Sequence, residues 1–186
     1  SSSLIALDPT TGKEIWIHEN LQLSARGINY WQSEDGREKR LLLTTGPYLQ
    51  AIDAKTGKSI MTFGSNGFVD LRDGMLRGEN GIRVPNPGKV WKNLLILGSA
   101  AGESWMAPPG DIRAYDVVTG KRVWQFRTVP EPGEFGYETW PKDAYKYVGG
   151  ANNWGEMSVD DERGIVYVPT GSATYDFYGA DRVGEN

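Results

Sequence analysis

Cysteine is absent from the 186 residues, and histidine occurs once, at position 18. Disulfides, thiol chemistry and cysteine-based metal sites are excluded. A single imidazole cannot furnish a histidine-rich zinc site, which also disfavours a metal-dependent hydrolase. His18 reads as an ordinary strand residue with a partner or solvent. Positive charge is in deficit: 20 Lys and Arg against 24 Asp and Glu give a net charge of −4, so no basic face is offered to nucleic acid or an anionic membrane. No apolar run reaches the roughly 20 residues of a membrane-spanning helix. No signal peptide precedes the strand-like Leu4-Ile5-Ala6-Leu7, so the chain reads as one entered partway. What is plentiful is glycine, at 24 residues, with seven Trp and nine Tyr in a chain that is 39% hydrophobic. That mixture is large enough to bury a sizeable core and points to an all-β protein of short strands and turns.

An internal repeat organises the chain. Ala6-Leu-Asp8-Pro-Thr-Thr11-Gly12-Lys13-Glu-Ile-Trp16 returns as Ala51-Ile-Asp53-Ala-Lys-Thr56-Gly57-Lys58-Ser-Ile-Met61, and again as Ala114-Tyr-Asp116-Val-Val-Thr119-Gly120-Lys121-Arg-Val-Trp124. The shared pattern is A-x-D-x-x-T-G-K-x-x-W, with Met61 replacing Trp once. Each copy predicts a hairpin: an alternating strand, a turn in which Asp accepts nearby amides and Gly takes positive φ, and a second strand ending in an aromatic. Trp16, Trp31 and Trp124 are expected to dock one unit on the next rather than to touch a ligand.

The 45 residues from Ala6 to Ala51 suit one four-stranded propeller blade, and the 63 from Ala51 to Ala114 imply an insertion, placed in the polar, Gly-rich segment Ser65 to Asn86. The expected architecture is an all-β propeller of four-stranded antiparallel blades. Residues 1–19 end one blade, 20–64 form a blade, 65–128 form a blade with an insertion, and 129–186 form the first half of the next. Ser59-Ile-Met-Thr-Phe63 is expected as the fourth strand of the 20–64 blade.

In such a blade the residues before the first strand and after the second share one end, near the central axis. Arg26, Thr45, Gly46, Ala100, Ala101, Gly102, Glu103, Asn153, Trp154, Gly171 and Ser172 all fall there. Trp154 stands among Gly, Ala and Asn, which cannot bury an indole, so either another part of the chain or a flat ligand covers it. A cation, a carboxylate, a large ring and exposed amides together suit a flat, anionic, metal-bound ligand. Glu103 could also be a solvated loop residue, and Arg26 a surface ion-pair partner.

These features resemble the quinoprotein dehydrogenases that use pyrroloquinoline quinone (PQQ). The repeat is similar to their tryptophan-docking motif, and Ser24-Ala-Arg26-Gly-Ile-Asn-Tyr-Trp31 resembles their RG-x-x-YW segment. Gly98-Ser-Ala-Ala-Gly-Glu103 resembles their metal-binding loop, and Gly149-Gly-Ala-Asn-Asn-Trp154-Gly the segment whose tryptophan stacks under the quinone. The resemblance implies roles residue by residue. Arg26 would pair with a PQQ carboxylate, and Trp154 would floor the cofactor site. Amides of Ala101 and Gly102 would bond carboxylate oxygens, and Glu103, with Ser172, would bind calcium.

It further implies an eight-bladed ring, a periplasmic or periplasm-facing location, an alcohol or sugar substrate, and a quinone or cytochrome as electron acceptor. About three blades are represented, so the chain reads as part of a larger enzyme whose catalytic Asp lies beyond Asn186. Asn20-Leu21 stand near where alcohol-oxidising members often carry adjacent cysteines, Ser172 where many carry a calcium-binding Asn, and Ala100 where many carry a Ser. With Tyr175 to Asn186, these departures place the chain nearer the glucose-dehydrogenase-like branch than methanol dehydrogenase. The rival function is a non-enzymatic propeller of the same repeats, a binding scaffold of the bacterial envelope.

Overall fold

Residues 2–24, 26–77 and 82–180 are described by the computed structural model, Asn20 in its backbone alone. Ala25 and the last six residues, both used in the resemblance, lie outside them, as do positions 78–81 of the expected insertion. Among the described residues four antiparallel sheets follow one another in chain order. The first pairs β1 (Ser2–Leu7) with β2 (Glu14–Leu21). The second orders β3 (Asn29–Gln32), β4 (Lys39–Thr45), β5 (Tyr48–Asp53) and β6 (Phe68–Asp70). The third orders β7 (Lys89–Trp91), β8 (Leu94–Leu97), β9 (Ile112–Asp116) and β10 (Arg122–Phe126). The fourth pairs β11 (Ser158–Asp160) with β12 (Ile165–Tyr167). Among the described residues helix is confined to two 3-10 turns, Tyr137–Thr139 and Ala144–Lys146, and no described helix is long and apolar enough to cross a membrane.

The core lies between successive sheets, as propeller blades require. Trp31, Leu42, Leu49, Phe63 and Leu71 meet Leu95, Leu97, Tyr115 and Val117 across the second and third sheets. Ile96, Ile112 and Ala114 meet Met157, Val166 and Val168 across the third and fourth. Leu4 and Leu21 meet Leu43 and Ile52 across the first and second. Covered on both faces, β8 is apolar throughout, while β4, β5 and β9 bury Arg40, Gln50 and Arg113 among their apolar side chains; the paired end strands alternate. Ile5, Leu7, Ile15 and Ile17 are exposed on the first sheet, as are Ile165 and Tyr167 on the last.

The repeat forms one turn three times. Asp8 Oδ1 accepts from the amides of Thr10 and Thr11 and from the Thr11 hydroxyl at 2.8–3.0 Å. Asp53 and Asp116 do the same with Lys55 and Thr56 and with Val118 and Thr119. The following Gly donates back to the Asp carbonyl at 2.8–2.9 Å. It sits at φ between 69° and 76°, a conformation costly for any residue with a Cβ. The same glycine is a docking seat. Trp16 lies flat on Gly57 and donates from Nε1 to Ala54 O at 3.2 Å, while His18 Nδ1 donates to Gly57 O at 2.5 Å. Trp31 likewise crosses between sheets, its Nε1 donating to Lys92 O at 3.0 Å.

The expected fourth strand at Ser59 to Phe63 is not formed. Ser59 makes an isolated bridge to Ile52, the Phe63 amide closes a turn onto Ile60 O, and the chain turns again at Asn66 and Gly67, both at positive φ. The fourth strand is instead Phe68–Asp70, paired with Tyr48–Gln50. The segment Ser65 to Asn86 is therefore not a mere insertion: it carries β6 and the buried Leu71, Ile82 and Val84. Val69 and the fully buried Phe63 together take the seat on Gly120, where a Cβ would stand 2.7 Å from Val69 Cγ2 and 3.2 Å from Phe63 Cζ, and Met61, at the motif's last position, is left exposed.

Candidate cofactor-binding face

Three loops converge at one end of the second, third and fourth sheets: the Arg26 loop before β3, the loop from Gly98 to Gly110 before β9, and the segment from Gly149 to Trp154 before β11. Their approach depends on glycine. A Cβ at Gly98 would stand 2.6 Å from Asn153 O, one at Gly110 would overlap Asn152, and one at Gly149 would overlap Ala107 O. Asn152 Nδ2 donates to Ser99 O at 2.8 Å and Asn153 Nδ2 to Pro169 O at 2.7 Å, both from buried side chains. The backbone just before Trp154 is thus clamped on two sides.

Trp154 itself is 53% exposed. Its ring edge lies against Gly171, where a Cβ would meet Nε1 at 3.5 Å. The Arg26 guanidinium stands over the indole, 5.4 Å from the ring centroid, and its Nη1 donates to the Trp154 carbonyl. The segment carrying Arg26 is held by the Ser24 hydroxyl, which donates to Pro85 O. A cation parked on an aromatic ring is worth about 0.5–1 kcal/mol when exposed. The pair is therefore weak enough to open for a ligand and strong enough to keep the guanidinium in place.

Ala101 is half-buried, and Gly102 and Glu103 are exposed. Ala100 closes the strand end by donating to Arg83 O at 2.7 Å, whereas the amides of Ala101 and Gly102 donate to no described residue. Glu103 has no ion-pair partner among the described residues, and no described group of three or more His, Asp or Glu side chains is placed to hold a metal ion. Ser172 is exposed, and its carbonyl accepts the Ala151 amide at 2.9 Å. The structure therefore brings Arg26 onto Trp154 and Trp154 onto Gly171 beside Ser172. Glu103 and the Ala101-Gly102 amides stay on their own loop without a bond to either.

Several contributors escape a reading by sequence pattern. Asn152 clamps the tryptophan segment through its side chain. Arg77, at φ 60°, donates to the carbonyls of Tyr145, Val148 and Ala107 at 2.6–3.3 Å, and burial pulls its pKa down. Trp105 stacks on both Tyr147 and Tyr175. Loop aromatics and a lone arginine are visible in the sequence, but no periodicity directs them. Asp111, behind the loop, is a buried carboxyl whose pKa burial pushes up. It accepts from Gln125 at 2.6 Å and, with Ser99 and Arg113, lines a cavity of about 10 Å³, room for at most one water. A much larger groove, about 830 Å³ between Gly64–Arg72 and Thr119–Arg122, touches none of these loops.

The donors fit PQQ and calcium in kind. A half-exposed ring with a guanidinium above it suits a flat anion, two unspent amides suit carboxylate oxygens, and the acidic donor set is oxygen only. Asn153 Oδ1 adds a buried oxygen without a hydrogen-bond partner among the described residues, next to Gly98 at the start of the Glu103 loop. In number, Glu103 and Ser172 fall short of the roughly six to eight oxygens calcium takes.

The chain is similar to known proteins along nearly its whole length. The chain is 32% identical to quinoprotein glucose dehydrogenase A of Acinetobacter calcoaceticus over 96% of its length, and 32% identical to the glycerol dehydrogenase large subunit of Gluconobacter oxydans over 97%. It spans about a quarter of the length of each, 26%. A solved quinohemoprotein alcohol dehydrogenase of Pseudomonas putida HK5 superposes with a TM-score of 0.70 at 26% identity, covering 93% of this chain and 26% of that one. A europium-containing methanol dehydrogenase shares the fold, with a TM-score of 0.71 at 23% identity over 98% of this chain and 34% of the other. The family model of the glucose/ethanol/alcohol dehydrogenase PQQ β-propeller domain matches residues 1–186, and the chain belongs to that family.

Proposed function

We propose that this chain supplies one sector of the cofactor site of a PQQ-dependent dehydrogenase that oxidises an alcohol or an aldose sugar. The observation that carries the reading is the Arg26 guanidinium held over a half-exposed Trp154 whose backbone is clamped on both sides. Trp154 is the floor on which the quinone lies. Arg26 turns its paired N–H donors to a PQQ carboxylate, and the amides of Ala101 and Gly102 receive carboxylate oxygens. Glu103, helped by the Ser172 hydroxyl, holds calcium. PQQ held there would supply a hydride acceptor for a substrate C–H bond, and calcium would supply a Lewis acid.

The residue that takes the hydroxyl proton is expected beyond Asn186, with the remaining blades. The names of the relatives, glucose and glycerol dehydrogenases, support a sugar or polyol rather than methanol. A quinone or cytochrome acceptor and a periplasmic or periplasm-facing location belong to the same reading. A non-enzymatic envelope scaffold would use the same blade repeats but would have no use for a guanidinium over an exposed indole.

The test is PQQ retention in the full-length protein, read by absorbance after dialysis. Trp154→Ala loses cofactor. Arg26→Ala weakens it about 10- to 100-fold, the loss of a charged hydrogen-bonded pair. Arg26→Lys recovers part, keeping charge without the planar fork. Wild-type cofactor content in both alanine variants would refute the site.

A further inference from the structure

Trp105 lies two residues after Glu103, on a loop segment exposed from Gly102 to Met106. Its ring does not enter the core. It stacks instead on Tyr147, with centroids 5.3 Å apart and planes at 24°, and on Tyr175, at 5.6 Å and 25°. Tyr147 precedes Gly149 and the tryptophan segment, and Tyr175 follows Ser172 by three residues. One side chain therefore ties together the three stretches that carry Glu103, Trp154 and Ser172. The rest of the local bonding is thin. Ala107 donates to Ser104 O at 3.1 Å, Met106 takes φ 60° to make the corner, and the Ala107 carbonyl receives Arg77 at 3.3 Å. Between Ala101 and Glu103 no hydrogen bond to a described residue fixes the backbone.

We propose that Trp105 is a positioning residue: its double stack fixes the Glu103 carboxylate relative to Ser172 and so sets the affinity of that pair for a hard divalent cation. The inference rests on the reading of Glu103 and Ser172 as cation donors. Its physical basis is preorganisation. Two aromatic contacts across loops remove most of the freedom that an exposed loop of small residues would otherwise lose on closing round an ion.

The experiment is calcium titration by calorimetry of the full-length protein, after chelator treatment, with calcium alone as the probe. Trp105→Ala weakens calcium binding about 10-fold, the scale of two aromatic pairs, and Trp105→Phe restores most of it. Tyr175→Leu removes one stacked face with Trp105 in place and gives a smaller loss in the same direction. The urea midpoints fall only slightly, by no more than the scale of two exposed aromatic pairs, because Trp105 and Tyr175 are exposed and lie outside the blade cores. If Glu103→Gln binds calcium as the wild type does, the cation site itself is misplaced and the inference falls with it. If Glu103→Gln weakens binding while Trp105→Ala and Tyr175→Leu do not, the site stands and the positioning role alone is overturned. An equal loss in Trp105→Phe and Trp105→Ala also overturns it.

Discussion

Gly57 offers a sharp test of how the blades are joined, because two separable penalties meet there. It holds φ 71°, and a Cβ would stand 2.5 and 2.7 Å from Cε3 and Cδ2 of Trp16. In Gly57→Ala the left-handed backbone costs about 1–2 kcal/mol. Forcing a methyl into the indole adds about 1–3 kcal/mol, for a total of roughly 2–5 kcal/mol. Trp16→Ala removes a half-buried ring and its bond to Ala54 O, and costs somewhat less than the roughly 3–5 kcal/mol of a fully buried aromatic. In the Trp16→Ala background the methyl at position 57 meets empty space, so only the backbone penalty remains. The double variant is therefore more stable than the sum of the single losses predicts, by about 1–3 kcal/mol. Urea unfolding of the four proteins, with midpoint and slope both fitted, measures the coupling. Additive losses would refute the docking role assigned to the repeat.

Phe63→Ala is expected to cost about 3–5 kcal/mol in the same assay, since a fully buried ring leaves the core between the second and third sheets, while Met61→Trp changes stability by less than about 0.5 kcal/mol because Val69 and Phe63 already fill the seat on Gly120. Acid sensitivity follows from the turns. Hydrogen bonds from the Thr11 amide, the Thr11 hydroxyl and the Thr10 amide hold Asp8 below the ordinary 3.8; at Asp53 burial pushes upward, but the Thr56 hydroxyl and amide and the Lys55 amide together outweigh it. Their stabilisation is complete above the unfolded value and is lost as pH falls below 3.8 through the lower folded values, so Asp53→Asn flattens the pH dependence of the urea midpoint in that acid range. Ser172→Asp, which adds a second carboxylate to the proposed donor pair, tightens calcium binding in the full-length protein at least about 10-fold, read by calorimetry. The 186-residue chain alone binds an environment-sensitive apolar dye through Ile5, Leu7, Ile15 and Ile17, and a sharp melt without dye binding would contradict that.

Much of the fold could be read from the sequence because its information is local. Asp, Thr and Gly at fixed offsets close the turn within six residues, and the strands that flank it pair with near neighbours. The end position of Arg26 and Trp154 followed from the same order of strands, whereas the small neighbours of Trp154 left open what covers it, and in the structure the ring is half-exposed beneath Arg26. The fourth strand was not legible. Phe68–Asp70 is three residues long and pairs with residues about 20 positions earlier, and what directs it there is the pair of reversals at Asn66 and Gly67 rather than any alternation of its own. The transfer of the docking role from Met61, at the motif position, to Phe63 was hidden for a related reason. Residues 61–63 lie in a turn rather than a strand, so no alternation shows that Phe63 and not Met61 turns inward. At the candidate site, Asn152, Arg77 and Trp105 act through loops, where no helical or strand period tells which way a side chain points.

The seat formed by Asp-x-x-Thr-Gly is occupied from the preceding unit, and the contact runs forward along the chain, Trp16 to Gly57 and then Phe63 with Val69 to Gly120. Each unit thus carries a plug for its successor and a socket for its predecessor. A duplicated unit brings both halves with it and needs no new matching surface, so such a gene can change blade number by whole steps. The socket tolerates two different plugs in this one chain, whereas its own Asp, Thr and Gly are unchanged in all three copies. Drift is therefore expected to be faster in the plug than in the socket.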